Sequence, residues 1–123
     1  MKQREKIIVT CGEFDPFTAK DLSFLKKCKS KGDWLIVGIH TDWWMQWCKG
    51  QINQRYEERR EIVSGVKYVD EIMTFSDMDG TVCQLLKIIK IVYTDANITY
   101  ISNVDMNNMP ETKIRGINFE TIK

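Results

Sequence analysis

Four short apolar runs punctuate the chain, and amphipathic stretches separate them. Lys6 to Thr10 (KIIVT) is β-branched and predicts a buried strand, and Trp34 to Ile39 (WLIVGI) predicts a second, almost fully apolar one. Glu71 to Phe75 (EIMTF) and Ile98 to Ser102 (ITYIS) predict a third and a fourth. Between the first two, Leu22, Phe24, Leu25 and Cys28 recur at helical spacing, which predicts a helix over about Lys20–Lys31 with Gly32 as its stop. A charged helix is predicted from about Arg55 to Val66, with Tyr56, Ile62, Val63 and Val66 on its apolar side. A third stripe, Val82, Leu85, Leu86, Ile89, Val92 and Tyr93, follows the turn Asp77-Met78-Asp79-Gly80, with Asp79 or Thr81 as candidate cap.

Continuous apolar strands separated by amphipathic helices are the pattern of a parallel sheet covered on both faces. The order β-α-β-α-β-α-β therefore predicts a doubly wound, Rossmann-like α/β fold, with 1–123 as one domain. The first strand is expected at the centre of the sheet, opening onto a ligand crevice. Two regions fall outside the pattern. His40 to Asn53, which gathers Trp43, Trp44 and Trp47, reads as a loop or short helical turn, and the polar tail from Asn103 is interrupted by Pro110 and Gly116.

Charge narrows the partners. Eighteen Lys and Arg against 17 Asp and Glu give a formal charge of +1, so nothing suggests the strongly basic face of a nucleic-acid binder. No run approaches the ~20 apolar residues of a membrane span, and the charged opening Met1 to Lys6 does not read as a signal peptide. Cys11, Cys28, Cys48 and Cys83 form no CxxC pair and His40 is the one histidine, so no zinc site is expected. The cysteines read as free thiols of a cytoplasmic protein, although spacing alone leaves disulfides open.

The specific signals lie in the loops. Thr10-Cys11-Gly12-Glu13-Phe14-Asp15 resembles the T-x-G-x-F-D opening of the cytidylyltransferases, the family of the glycerol-3-phosphate and phosphocholine enzymes. Gly32-Asp33-Trp34-Leu35-Ile36-Val37-Gly38-Ile39 resembles that family's G-D-x-L-I-V-G-V, with Asp42 and Lys49-Gly50 matching the residues beyond it. Arg55-Tyr56-Glu57-Glu58-Arg59-Arg60 and Lys67-Tyr68-Val69-Asp70-Glu71 resemble its Y-E-x-R and (K/R)-Y-V-D-E segments at intact spacing. Ser102-Asn103-Val104-Asp105-Met106 stands where the family has G-x-D-x. A lone GxFD carries little weight, but several motifs in order on the expected elements are hard to obtain by chance.

The resemblance implies a nucleotide site of Gly12, Phe14, Asp15, Arg59 and Asp105, with Lys49 reaching the phosphates, and a homodimer built around Tyr68, Val69 and Asp70. It also exposes two departures. The family's H-x-G-H, whose histidines hold phosphate, is here Thr18-Ala19-Lys20-Asp21, so a carboxylate stands where negative charge accumulates. The family's R-T-x-G-I-S-T-T is here Lys113-Ile114-Arg115-Gly116-Ile117-Asn118-Phe119-Glu120, with Asn118 left as a candidate helix cap. Thr18, Asp21 and Lys49 are thus the candidate catalytic positions. One reading is a relative with lost or strongly reduced catalysis that keeps a nucleotide or small phosphorylated ligand. The alternative is an active enzyme moving CMP from CTP to a phosphorylated alcohol or sugar, with Mg²⁺ carried in by the nucleotide and Asp21 on the metal. A third is a site completed by another subunit.

For the remaining candidates two roles compete. Arg59 contacts nucleotide or makes a surface ion pair with Glu. His40 substitutes for a lost histidine or simply ends its strand. The tryptophans stack a base, face a partner, or pack on the core edge. Cys11 reads as small filler.

Overall fold

The computed structural model describes residues 6–123. Its strands are β1 (Lys6–Gly12), β2 (Trp34–Ile39), β3 (Glu71–Met73), β4 (Asn97–Ser102) and β5 (Ile117–Thr121). Its helices are α1 (Ala19–Lys29), α2 (Asp42–Lys49), α3 (Tyr56–Ser64) and α4 (Cys83–Val92), with a 3₁₀ turn at Pro110–Lys113. All strand pairs are parallel, in the order β3-β2-β1-β4-β5. The first strand is central, as its unbroken apolar run predicts. This is a Rossmann-like α/β fold whose strand order reverses at β1, the point where such sheets open a crevice.

Alternation along the strands sorts the core into two layers. Ile7, Val9, Ile36 and Ile98 face one side and pack with Leu85, Leu86 and Ile89 of α4. Ile8, Leu35, Val37 and Ile101 face the other and pack with Leu25 and Cys28 of α1 and Val63 of α3. Burial on both faces explains why these strands read as continuous apolar runs.

Five sequence expectations need correction. Residues 42–49, expected as a loop or short helical turn, form the two-turn helix α2. The Thr41 side chain caps its start by accepting from the Trp44 N–H, and Gly50 ends it with a left-handed φ of 73°. The polar tail contains β5, because Gly116 turns the chain (φ 84°) back alongside β4. Asn118 therefore caps no helix: it lies in β5, and its amide donates to Asn97 Oδ1 and the Ile98 carbonyl. Neither Asp79 nor Thr81 is the residue that precedes α4, which is Val82, and the Val82 N–H is taken by the remote Glu111 carboxylate at 2.9 Å. Asp79 instead closes its own turn onto Thr81, whose Oγ1 accepts from the Cys83 N–H. The paired part of β3 stops at Met73, and Phe75 continues into the core.

All four cysteines are unpaired thiols. Burial pushes the Cys28 thiol up to about 12. Among the described residues no helix is long and apolar enough to cross a membrane.

Candidate functional site

The carboxyl ends of β1, β2 and β4 open onto a cleft of about 500 Å³. Its floor is the turn after β1. Gly12 is required there, because a Cβ would meet the Phe14 ring at 2.7 Å, and Phe14 itself sits at φ 53°, a strained backbone for a non-glycine residue. Asp15 closes the turn by accepting from the Asn53 and Gln54 N–H groups at 2.8 and 2.7 Å. Gly12, Phe14 and Asp15 all line the cleft, together with Cys11, which was expected only to fill space. Burial raises the Cys11 thiol well above its usual range, so it is no ready nucleophile.

One wall is the start of α1. Thr18 is the N-cap and Asp21 the third helical residue, and the two form a reciprocal capping box. The Asp21 carboxylate accepts from the Thr18 N–H at 2.8 Å and the Thr18 hydroxyl at 3.1 Å. An anion of the chain itself thus occupies a helix start that favours anions. Asp21 lines the cleft.

The opposite wall includes His40 and Trp44, backed by a buried polar network. Arg59 is fully buried. Its guanidinium donates to the carbonyls of Gln54, Glu13 and His40 at 2.9, 2.9 and 2.7 Å, and to Asp42 Oδ1 at 2.9 Å. It is neither a surface residue nor a partner of Glu; it pins together the ends of β1 and β2 and the start of α2. Beside it, buried Asp77 accepts from His40 Nδ1 at 2.9 Å, from the Thr41 N–H at 2.9 Å and from the Thr41 hydroxyl at 2.6 Å. The Trp44 indole stacks on the imidazole with centroids 3.7 Å apart. Burial lowers the His40 pKa more than Asp77 and Glu13 raise it, while Arg59 lowers it further.

Four expected site residues, Thr18, Lys49, Arg59 and Asp105, are not among the lining residues. Lys49 pairs with Glu13 at 3.3 Å. Asp105 is exposed and pairs with Lys123 at 3.2 Å, while its neighbours Ser102, Asn103 and Val104 do line the cleft. The tryptophans divide: Trp44 walls the cleft, whereas Trp43 and Trp47 stack on each other, exposed, at 5.6 Å. Glu111 and Asp77 escaped sequence reading. Glu111 lies in the polar tail, and Asp77 looked like an ordinary turn residue. The sole signal for Asp77 was an acid just past a strand end in a fold that binds ligands there.

The charged part of the lining is one-sided. Glu13, Asp15, Asp21 and Glu111 contribute carboxylates, and among the described residues no lysine or arginine joins them. Among the described residues no three His, Cys, Asp or Glu side chains gather as metal ligands.

These features sit on a fold defined by its relatives. Residues 9–117 match the cytidylyltransferase-like family model, and the chain belongs to that family. It is 35% identical over 74 residues to the bifunctional protein HldE of Wolinella succinogenes, a match covering 58% of this chain and 16% of that protein. It is 28% identical over 82 residues to the glycerol-3-phosphate cytidylyltransferase of Bacillus spizizenii, covering 67% of this chain and 64% of that one. Each match thus spans less than two thirds of the relative's length. A lipopolysaccharide core biosynthesis protein from Thermoplasma volcanium superposes with a TM-score of 0.71 at 21% identity, over 98% of this chain and 97% of that one.

Proposed function

We propose that this chain is a cytidylyltransferase-like domain in which nucleotidyl transfer is lost or strongly reduced and triphosphate binding is weak. The observation that carries this reading is the Asp21 carboxylate bonded to the Thr18 N–H at the start of α1. A phosphate at that helix start would have to displace a charged internal acceptor of the same sign. The other cleft carboxylates, unopposed by lysine or arginine in the lining, add to the repulsion. Nucleotidyl transfer depends on electrostatic stabilisation of departing pyrophosphate, and each good donor removed costs about 10²–10³ in rate. Lys49, spent on Glu13 at the rim, does not reverse this balance.

The capping box engages Asp21 Oδ2 twice and leaves Oδ1 to meet any Mg²⁺ delivered with CTP, so the metal-assisted alternative is decided by experiment. The test is calorimetry with CTP, with and without Mg²⁺, alongside pyrophosphate release with phosphorylated alcohols and sugars. Weak binding and slow release are expected. Thr18→His, Lys20→Gly and Asp21→His combined should raise CTP affinity by at least about tenfold, the effect of one restored charged hydrogen bond. Fast release by the unmodified protein, abolished by Asp21→Ala, establishes the metal-assisted enzyme instead.

Assembly as a homodimer through Tyr68, Val69 and Asp70 belongs to the same proposal and rests on the family resemblance. Asp70 already accepts from Lys29 at 2.6 Å and from the Leu35 N–H at 2.8 Å, so the segment presented to a partner has a fixed shape. Sedimentation of a monomer at tens of micromolar (roughly an ordinary dimer affinity) argues against it.

A further inference from the structure

The chain's one histidine is the cleft group that the reading above leaves unused. Its Nδ1 is bonded to Asp77, a residue with no exposed surface, and Asp77 is itself immobilised by two bonds from Thr41. The ring plane is fixed by the Trp44 indole, stacked with an interplanar angle of 11°, and by Phe75 at 6.0 Å. A carboxylate is acceptor-only, so Nδ1 must carry the proton in this pair. That leaves Nε2 with a lone pair and, among the described residues, no hydrogen-bond partner, on a side chain 12% exposed that lines the cleft. A histidine held by a buried carboxylate at one nitrogen has its tautomer and its aim set at the other.

The geometry points to His40 as the ligand-facing proton acceptor of the cleft, aimed by Asp77 at a ligand that offers a hydroxyl or amine hydrogen rather than a phosphate. The surroundings agree on all sides. Glu13 from the turn after β1, Asp21 from α1 and Glu111 from the tail supply further acceptors, and Arg59 turns its guanidinium to backbone carbonyls and Asp42. Burial keeps the ring neutral near pH 7, so the lone pair is available. Asp77 is a positioning residue, since it acts through His40. The exclusion of phosphate rests on the function proposed above; the assignment of Nε2 rests on the geometry alone.

Because His40 is the only histidine, its nitrogen resonances report on it without assignment of other signals. Two-bond ¹⁵N–¹H NMR of the whole chain should show the Nδ1–H tautomer, with Nε2 unprotonated at neutral pH. Asp77→Asn should mix the tautomers. Ethanolamine, which carries both O–H and N–H donors, should shift Nε2, and inorganic phosphate should not. His40→Phe keeps a ring against Trp44 and should weaken ethanolamine binding by about fivefold, the loss of one hydrogen bond. A wild-type Nε2–H tautomer, a response to phosphate alone, no response to either probe, or unchanged ethanolamine affinity in His40→Phe each overturns the assignment. Pyrophosphate release from CTP by the wild type overturns the parent reading only. In that event the tautomer and the ethanolamine shift still decide what His40 does.

Discussion

The two walls of the cleft hold polar groups in opposite ways. At the start of α1 the Thr18–Asp21 box lies at the surface, with Thr18 exposed and Asp21 half-buried, and its side chains bond to each other. Behind the opposite wall, Arg59 and Asp77 have no exposed surface and tie together chain segments far apart in sequence. An exposed polar residue can be exchanged for another at small cost, because water satisfies whatever is left behind. A buried one cannot, because its partners are then stranded. The fold is therefore anchored at one wall, while the other is free to lose or change its chemistry without the sheet noticing.

The sharpest way to break this contrast is Arg59→Met. The apolar replacement leaves the Gln54, Glu13 and His40 carbonyls and Asp42 without their shared donor. A loss of about 3–5 kcal/mol is expected, enough to lower the melting temperature by at least about 10 °C. Denaturation followed by circular dichroism measures it. A near-neutral result shows that the network is not the anchor.

Next in size is a pH effect at the same wall. The folded-state pKa of His40 lies below its ordinary value of 6.5, mainly through burial. The unfolded chain therefore takes up the proton first as pH falls. Stability contributed by the neutral ring is fully present above about pH 6.5 and is lost as pH falls through the folded-state value. Urea midpoints should decline from pH 7 to pH 5 in the wild type and more shallowly in His40→Phe. Parallel curves separate His40 from the decline and assign it to carboxylates.

How much of this was legible follows the same division. The central strands β1, β2 and β4 and the two core layers were written in apolar runs, because burial on both faces leaves no other pattern. Thr41 and Gly50 carried cap and stop signals for α2, but the tryptophans between them obscured the helical face. Strand β5 stayed hidden since edge residues such as Asn118 and Glu120 need only half-burial, and Pro110 and Gly116 looked like interruptions rather than turns. The motif residues Gly12, Phe14 and Asp15 were found at the cleft. Arg59 does not line the cleft, and one sequence cannot say that an arginine is buried: three of its four partners are backbone carbonyls, which leave no trace in side-chain identity. Glu111 was invisible for a like reason, since its partner is the Val82 N–H.

The smallest expected effect lies at the exposed wall, and it separates stability from binding. Thr18→Ala removes the side chain that accepts from the Asp21 N–H and so dismantles half of the capping box. Caps of this kind contribute about 1 kcal/mol, which predicts a melting temperature only a few degrees lower. The Thr18→His, Lys20→Gly, Asp21→His combination loses the same cap and also places a glycine in the first turn of α1, so it should be less stable than the wild type. If its CTP affinity nevertheless rises, the gain cannot come from a firmer fold, because stability and binding move in opposite directions. It must come from the charge exchanged at the helix start. If both fall together, Asp21 serves the helix alone, and the repulsion of nucleotide has to be sought in Glu13, Asp15 and Glu111 on the remaining lining.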